Sequence, residues 1–510
     1  MRSAAFAESF LDLLALATDT SQTIHCLVTG ACMEDSLSEV EGAAGDVSDV
    51  SEVDNFAPVT QEVDASDLCV RGVLPAGLQG TLYRIGPNPR FPQPEAHWFG
   101  GDGMVHVFAI DDGRVSYRNR WVRTPKWRDE DRAGRPLFRA FAGKLPDAPE
   151  WSGSDGGVAN TNIIWHGGAL LALEEAHLPT AVTPRAIDTL GYMEYGPLKG
   201  PFTAHPKTDP RTGELLFFGY NADGKLTPGV QVGAIDAQGR LTHYARLQAP
   251  YPSMIHDFMA TPGHLLIPVL PLTGSLARVE RGGPGYAWEP EKPAMIGVLP
   301  RGGGADDVRW FEGPACYVFH VMNAWEEGEG GQRILADVMV YDEPPLFPHA
   351  DGSPGDPARQ QAYLTRWTFD LASDIRRFTA ERLDDTAGEF PRIDDRVSGF
   401  RYRHGWFAAS HPEYGEGALN GIMHLDMQDG TRDAYWLPRG DITSEPVFAP
   451  GGGAHGGEGD GWLLAVVWRA AAQCSELLVF DARHVARGPL ATVELPQRVP
   501  FGFHGNWVAG

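Results

Sequence analysis

Histidine is the residue in this sequence best able to do chemistry. There are 17, and imidazole binds first-row metals and moves protons near neutral pH. No local metal motif is present: HxH, HExxH and CxxC are all absent, so no short stretch holds an ion by itself. Ligands spread along the chain are the other route, if the fold brings distant segments to one point. Four histidines flanked by strand or turn residues suit it: His205 in FTAHPKTDP, His256 in SMIHDFM, His320 in YVFHVMNAWEE and His504 in PFGFHGNW. They are separated by 51, 64 and 184 positions. Taken singly, each is more often a hydrogen-bonded core histidine than a ligand.

The elements that would position them read as β-strands. MVHVFAI and RVSYRNRWV flank an Asp-Gly turn at 111–113, and VQVGAI–DAQG–RLTHYARL and GIMHLDM–QDG–TRDAYWL repeat that design. Each is a hairpin signal with Gly where positive φ is needed. GTLYRIG, ALLALEE, LLFFGYN, HLLIPVL, WLLAVVW and LLVFD are further strands, and after residue 60 no run of 12 or more residues has helical periodicity. Hairpins recurring over some 450 residues predict an all-β fold, either a sandwich array or a β-propeller, which has few long exposed edges. Seven blades would average about 64 residues each. Successive candidate histidines would then be about one, one and three blades apart, on strands nearest a central axis.

Composition sets outer limits. The chain has 510 residues, with 42 Lys+Arg against 67 Asp+Glu, a formal charge of −25. That balance argues against a protein that binds nucleic acid by neutralising phosphates, and no nucleic-acid partner is expected. No apolar run is long enough to span a bilayer. Gly 61 and Pro 40 predict many turns. Five scattered cysteines, Cys26, Cys32, Cys69, Cys316 and Cys474, form no disulfide framework and fit a cytoplasmic location. Cys316 lies four residues before His320. On a strand that is about 13 Å of rise, too far for a shared ion, so it reads as a packed thiol. GGDG and the GGG at 451–453 lack the Lys-Ser/Thr and helix of a phosphate loop and read as turns.

Residues 1–55 are a separate compositional unit. AAFAESFLDLLALA (4–17) reads as a short amphipathic helix, not a signal peptide, because Glu8 and Asp12 interrupt it. Residues 1–54 carry eleven acids and one Arg, a like-charged composition that predicts a mostly disordered extension. The folded unit is expected over residues 56–510.

GTLYRIGPNPRF (80–91), HWFGGDGMVH (97–106), FTAHPKTDP (202–210), MIHDF (254–258), FHVMNAWEE (319–327), EFPRID (389–394), SEPVF (444–448) and LPQRVPFGFHGNW (495–507) occur in that order. Together they resemble the carotenoid cleavage oxygenase family, which includes apocarotenoid- and stilbene-cleaving dioxygenases. The resemblance implies a seven-bladed β-propeller with one non-haem Fe(II) on its central axis and a loop or helical cap over one face. It implies that His205, His256, His320 and His504 are the iron ligands. It also maps three glutamates that orient the ligand rings onto Glu175, Glu389 and Glu445. Glu174 is adjacent, but a one-residue step on a strand points to the other face. His106 is not among the family's ligands and reads as structural.

The implied reaction is cleavage of an alkene C=C bond by O2 to two carbonyl products. The alkene supplies the electrons, so neither NAD(P) nor flavin is expected, and no dinucleotide fingerprint is present. Phe141, Trp151, Phe319, Trp325, Phe503 and Trp507, with Glu174, are candidates to line a tunnel for a hydrophobic substrate. In members that cleave stilbenes, a Lys and a Tyr grip a substrate phenol. Here those positions are Glu174 and Phe141, and neither stabilises a phenolate. A carotenoid or apocarotenoid is therefore the expected substrate. Aryl alkenes of the stilbene and phenylpropene type are the alternative, to which WEPEKPAMIGVLPRGG (288–303) is similar. A non-catalytic propeller scaffold is the competing reading from another class. The resemblance also implies peripheral membrane contact, for which RPLFRAFAGKL (135–145) has the composition.

Overall fold

The computed structural model describes residues 54–93, 97–138, 155–414, 418–452 and 456–510. The expectations for the N-terminal extension, and for Phe141 and Trp151, lie outside the described residues. What is described is overwhelmingly β. Short helices, Pro125–Ala133 and Leu276–Glu280 among them, interrupt the strands. Pro125–Ala133 starts at an N-cap, the Thr124 side chain accepting from the Trp127 amide, and ends on Gly134 in the left-handed region.

Most sheets are antiparallel meanders, the product of hairpin following hairpin. Asn162–His166, Ala169–Leu173, Thr180–Val182 and Thr189–Tyr192 form one four-stranded sheet. Lys207–Thr208, Leu215–Tyr220, Gly229–Ile235 and Leu241–Gln248 form the next, and Met259–Ala260, His264–Val269, Ala294–Pro300 and Arg309–Gly313 a third. A seven-stranded sheet runs from Tyr317–Glu327 through the long strand Thr379–Ile393 to Arg432–Trp436. Two sheets join distant parts of the chain. Val70–Gly72 pairs with Ala491–Glu494, and Gly80–Pro87 pairs with Gly505–Ala509, from Gly80 opposite Ala509 to Arg84 opposite Gly505.

Burial differs sharply between strands of one sheet. Leu215–Tyr220 and Gly229–Ile235 are buried at every position, whereas Leu241–Gln248 is half-buried or exposed at all positions but Leu247. Interior strands are covered on both faces and so read as continuous apolar runs, while outer strands alternate. In the hairpin Gly103–Asp111/Arg114–Trp121, Asp112 and Gly113 both adopt positive φ. That is the two-residue turn which matches strand twist.

Candidate metal centre

Four histidines reach one point because of where they stand on their sheets. His205 comes just before Lys207–Thr208, His256 before Met259–Ala260, and His504 before Gly505–Ala509, while His320 lies within Tyr317–Glu327. Every one of those strands is the edge of its sheet. His320 sits where the ladder to Arg333–Tyr341 slips, between Val318 and Val321. Such a bulge re-aims a side chain that regular pairing would send elsewhere.

The four rings are buried, and one nitrogen from each lies within 4.8 Å of the others. Nε2 of His205 is 3.0 Å from that of His256; His256 is 3.2 Å from His320, and His320 is 3.1 Å from His504. The far nitrogens of three rings meet carboxylates. His256 Nδ1 pairs with Glu175, His320 Nδ1 with Glu389, and His504 Nδ1 with Glu445 at 3.0 Å. His205 meets none among the described residues; its amide donates to Thr203 Oγ1.

This arrangement passes a chemical test for a metal. A carboxylate accepting from Nδ1–H fixes the tautomer and leaves Nε2 as a bare lone pair. Lone pairs about 3 Å apart repel unless a cation lies between them. Imidazole nitrogens bound to one ion at about 2.1 Å lie roughly 3.0–3.4 Å from their neighbours, and the separations of 3.0, 3.2 and 3.1 Å along the series from His205 to His504 fall in that range. Burial and the neighbouring rings hold His205 well below the usual imidazole range. Burial likewise brings His504 down to about 4, against the pull of Glu445. At His320 burial also pulls downward, but Glu389 outweighs burial and raises the pKa. In their neutral form such imidazoles suit divalent first-row ions.

The carboxylates have unequal surroundings. Glu175 takes the Tyr220 hydroxyl on its other oxygen at 2.5 Å. Burial and Glu175 push that phenol far above its ordinary range, so it remains a donor. Glu445 receives the Gly505 amide at 2.9 Å and the Arg392 guanidinium at 3.2 Å. Burial alone would raise its carboxyl, but Arg392 and His504 outweigh this and hold it at about 2. Gly505 itself is required: a Cβ there would lie 2.6 Å from the Tyr83 carbonyl oxygen.

Glu174 and Glu175 diverge, although the strand Ala169–Leu173 ends before them. Glu174 lies 2.7 Å from His177 Nδ1 and accepts the Val158 amide. Phe319 lies edge-on to His256 with centroids 5.4 Å apart. Phe503 packs with Trp98 at 4.5 Å and Phe99 at 5.5 Å, and Phe99 continues to Phe347 at 6.4 Å. Trp325 packs instead against Tyr402, beneath the Arg366 guanidinium. Trp507 belongs to the cluster around Leu82 and Val466. His106 bonds Tyr117 at 2.8 Å, and Cys316 is a buried free thiol. Reading residue types missed Phe390, whose ring stacks on His320 at 5.1 Å and lies 5.3 Å from His504. Its position inside EFPRID is the one signal that pointed there.

The model of the Retinal pigment epithelial membrane protein family matches residues 56–509. Lignostilbene-alpha,beta-dioxygenase isozyme III of Sphingomonas paucimobilis is 38% identical over 469 residues, 88% of this chain and 95% of that protein. Isoeugenol monooxygenase of Pseudomonas nitroreducens is 37% identical over 468 residues, covering 89% and 97%. The crystal structure of Pseudomonas brassicacearum lignostilbene dioxygenase superposes with a TM-score of 0.86 at 37% identity, over 90% of this chain and 98% of that one. The chain belongs to this family, that of the carotenoid cleavage oxygenases. It is an oxygenase of that class.

Proposed function

We propose that residues 56–510 form a seven-bladed, closed β-propeller that holds one Fe(II) on its axis through His205, His256, His320 and His504, and that it cleaves an alkene C=C bond with O2. The blade count is supported by the sheets. If the seven-stranded sheet is divided at the long strand Thr379–Ile393, seven units of four or more strands result, the two-stranded pair Leu272–Gly274/Tyr286–Trp288 being an insertion. The pairing of Gly80–Pro87 with Gly505–Ala509 supports closure.

One observation carries the metal reading: four buried imidazoles with converging Nε2 atoms, three of them fixed from behind by Glu175, Glu389 and Glu445. Ferrous iron bound there supplies activation of O2. The protein supplies the rest. The carboxylates keep their protons on Nδ1, so each Nε2 stays a donor to the ion. Phe319, Phe390 and Phe503 exclude water and present an apolar wall to the alkene. Both oxygen atoms of O2 end in the two carbonyl products, and the alkene supplies the electrons, so no NAD(P)H or flavin takes part.

For the substrate, the relatives favour an aryl alkene of the stilbene or phenylpropene type. The engagement of Glu174 with His177 and the Val158 amide favours the second reading, an apocarotenoid, because this carboxylate does not stabilise a phenolate. The deciding experiment reconstitutes the protein with Fe(II). Oxygen uptake and carbonyl products are then followed with isoeugenol, resveratrol, a stilbene without hydroxyls and a retinal-yielding apocarotenal. One O2 per two carbonyls with any of these supports the oxygenase reading. No uptake with the whole panel by iron-loaded protein defeats it, and leaves the scaffold reading. Peripheral membrane contact through 135–145 is a proposal too, resting on composition. Residues 139–145 lie outside the described ones, and no helix among the described residues is long and apolar enough to cross a membrane.

A further inference from the structure

A single carboxylate that touches no imidazole ties together three of the four histidine segments. Asp257 follows His256 and is buried, only 3% exposed. Its Oδ1 accepts the Phe258 amide at 2.7 Å and the Lys207 ammonium at 2.7 Å. Its Oδ2 accepts the Val321 amide at 2.9 Å. Lys207 is two residues beyond His205, and Val321 directly follows His320, at the slip in the strand ladder. The segments of His205, His256 and His320 thus meet on one side chain.

All three of its partners are donors, so only a side chain with two acceptor oxygens and no N–H satisfies the site. The carboxylate end of the ion pair is buried while Lys207 reaches it from a partly exposed position, and removing the lysine leaves the buried Asp257 charge uncompensated. The fourth segment is held separately. Arg392 donates to the Gly505 carbonyl and to Asn506 Oδ1, and Asn506 donates to Asn162, whose own amide donates to the Ala204 carbonyl.

We propose that Asp257, with Lys207, is a positioning clamp that sets the spacing of His205, His256 and His320 before any ion arrives. This rests on the four-histidine reading above and deepens it. The clamp gives a physical reason for two chemically unexplained residues, the Lys of FTAHPKTDP and the Asp of MIHDF. It also explains why irregular backbone, which would otherwise let three imidazoles drift apart, delivers His256 Nε2 to 3.0 Å from that of His205 and 3.2 Å from that of His320.

The test uses the full chain, stripped of metal and titrated with Co(II), with affinity read by calorimetry and geometry by the visible d–d bands. Asp257→Asn keeps the shape but offers one acceptor to three donors; Lys207→Met removes the charge partner; Lys207→Arg restores it. The expected result is a 10- to 100-fold loss of Co(II) affinity, the range for groups that orient ligands, and altered d–d bands for D257N. A smaller loss is expected for K207M and recovery for K207R. Val493→Ala, on the strand Ala491–Glu494 in a core cluster that contains no histidine, serves as a destabilised control with affinity unchanged. If wild-type protein binds no Co(II), the four-histidine reading itself fails. If wild type binds and both D257N and K207M match it within threefold with unchanged spectra, the clamp alone is refuted. Should D257N fail to fold, K207M decides, since the Lys207 side chain is partly exposed and its loss is better tolerated.

Discussion

Phe390 lies nearly flat against His320, with planes 29° apart, on a backbone turned to φ 56°. A bulky residue in the left-handed region is strained by roughly 1–3 kcal/mol and persists only where its surroundings enforce it. Here a slip in the ladder between Glu389 and Arg392 enforces it, aiming Glu389 at His320 Nδ1 and the Phe390 ring at its face. Phe390→Gly relieves the strain and deletes the ring, whereas Phe390→Ala deletes the ring and keeps the strain. Both are expected to lower kcat/KM at least tenfold while metal content is unchanged, and F390G is expected to melt above F390A. Steady-state kinetics and thermal melts check this. Turnover within twofold of wild type in both variants would exclude Phe390 from the substrate wall.

Glu175 holds His256 on one side and Tyr220 on the other. Glu175→Gln keeps an acceptor but removes the charge, and is expected to weaken metal binding 10- to 100-fold. Tyr220→Phe leaves the charge and loses one neutral donor, so a loss of only a few-fold is expected. Equal losses in a metal titration would contradict this ordering of the two contacts.

His177 provides a pH signature away from the metal. Burial alone would lower its pKa, but Glu174 and Asp155 outweigh burial and raise it to about 9. A pKa raised on folding stabilises the protein fully below the unfolded value of about 6.5, and that contribution fades as pH rises through about 9. The melting temperature is therefore expected to fall by a few degrees between pH 6.5 and 9.5. In His177→Gln this step is expected to be smaller. Melts across that range check it, and an identical slope in the variant would remove His177 as the cause.

Removing residues 505–510 takes away the strand that pairs with Gly80–Arg84 and the amide that Glu445 accepts. The exposed edge and the loss of the Glu445 contact are expected to lower the melting temperature by more than 10 °C or to cause aggregation. A truncated protein that melts near wild type and still binds metal would show that this pairing is dispensable.

The sequence makes the local half of this molecule legible. The Asp-Gly turn at 112–113 and the fully apolar run LLFFGY announce hairpins and buried strands because turn chemistry and burial are both short-range. The histidines were visible as candidates through their strand-like flanks, and the glutamates only through family resemblance, since an acid beside a strand has no pattern of its own. What was not legible is long-range. Nothing in VRG (70–72) announces Ala491–Glu494 as its partner, and nothing in TAERLDD announces the first half of a fifteen-residue strand. Arg392, Asp257 and Tyr220 escaped notice for the same reason. Their roles depend on partners 45 to 113 residues away, which no local period encodes.

The position of His504 at the threshold of the strand Gly505–Ala509 couples closure of the sheet to the histidine cluster. The segment that carries the fourth imidazole is the one that pairs with Gly80–Arg84, so a chain in which that pairing is open would keep three of the four rings in place and lose the fourth.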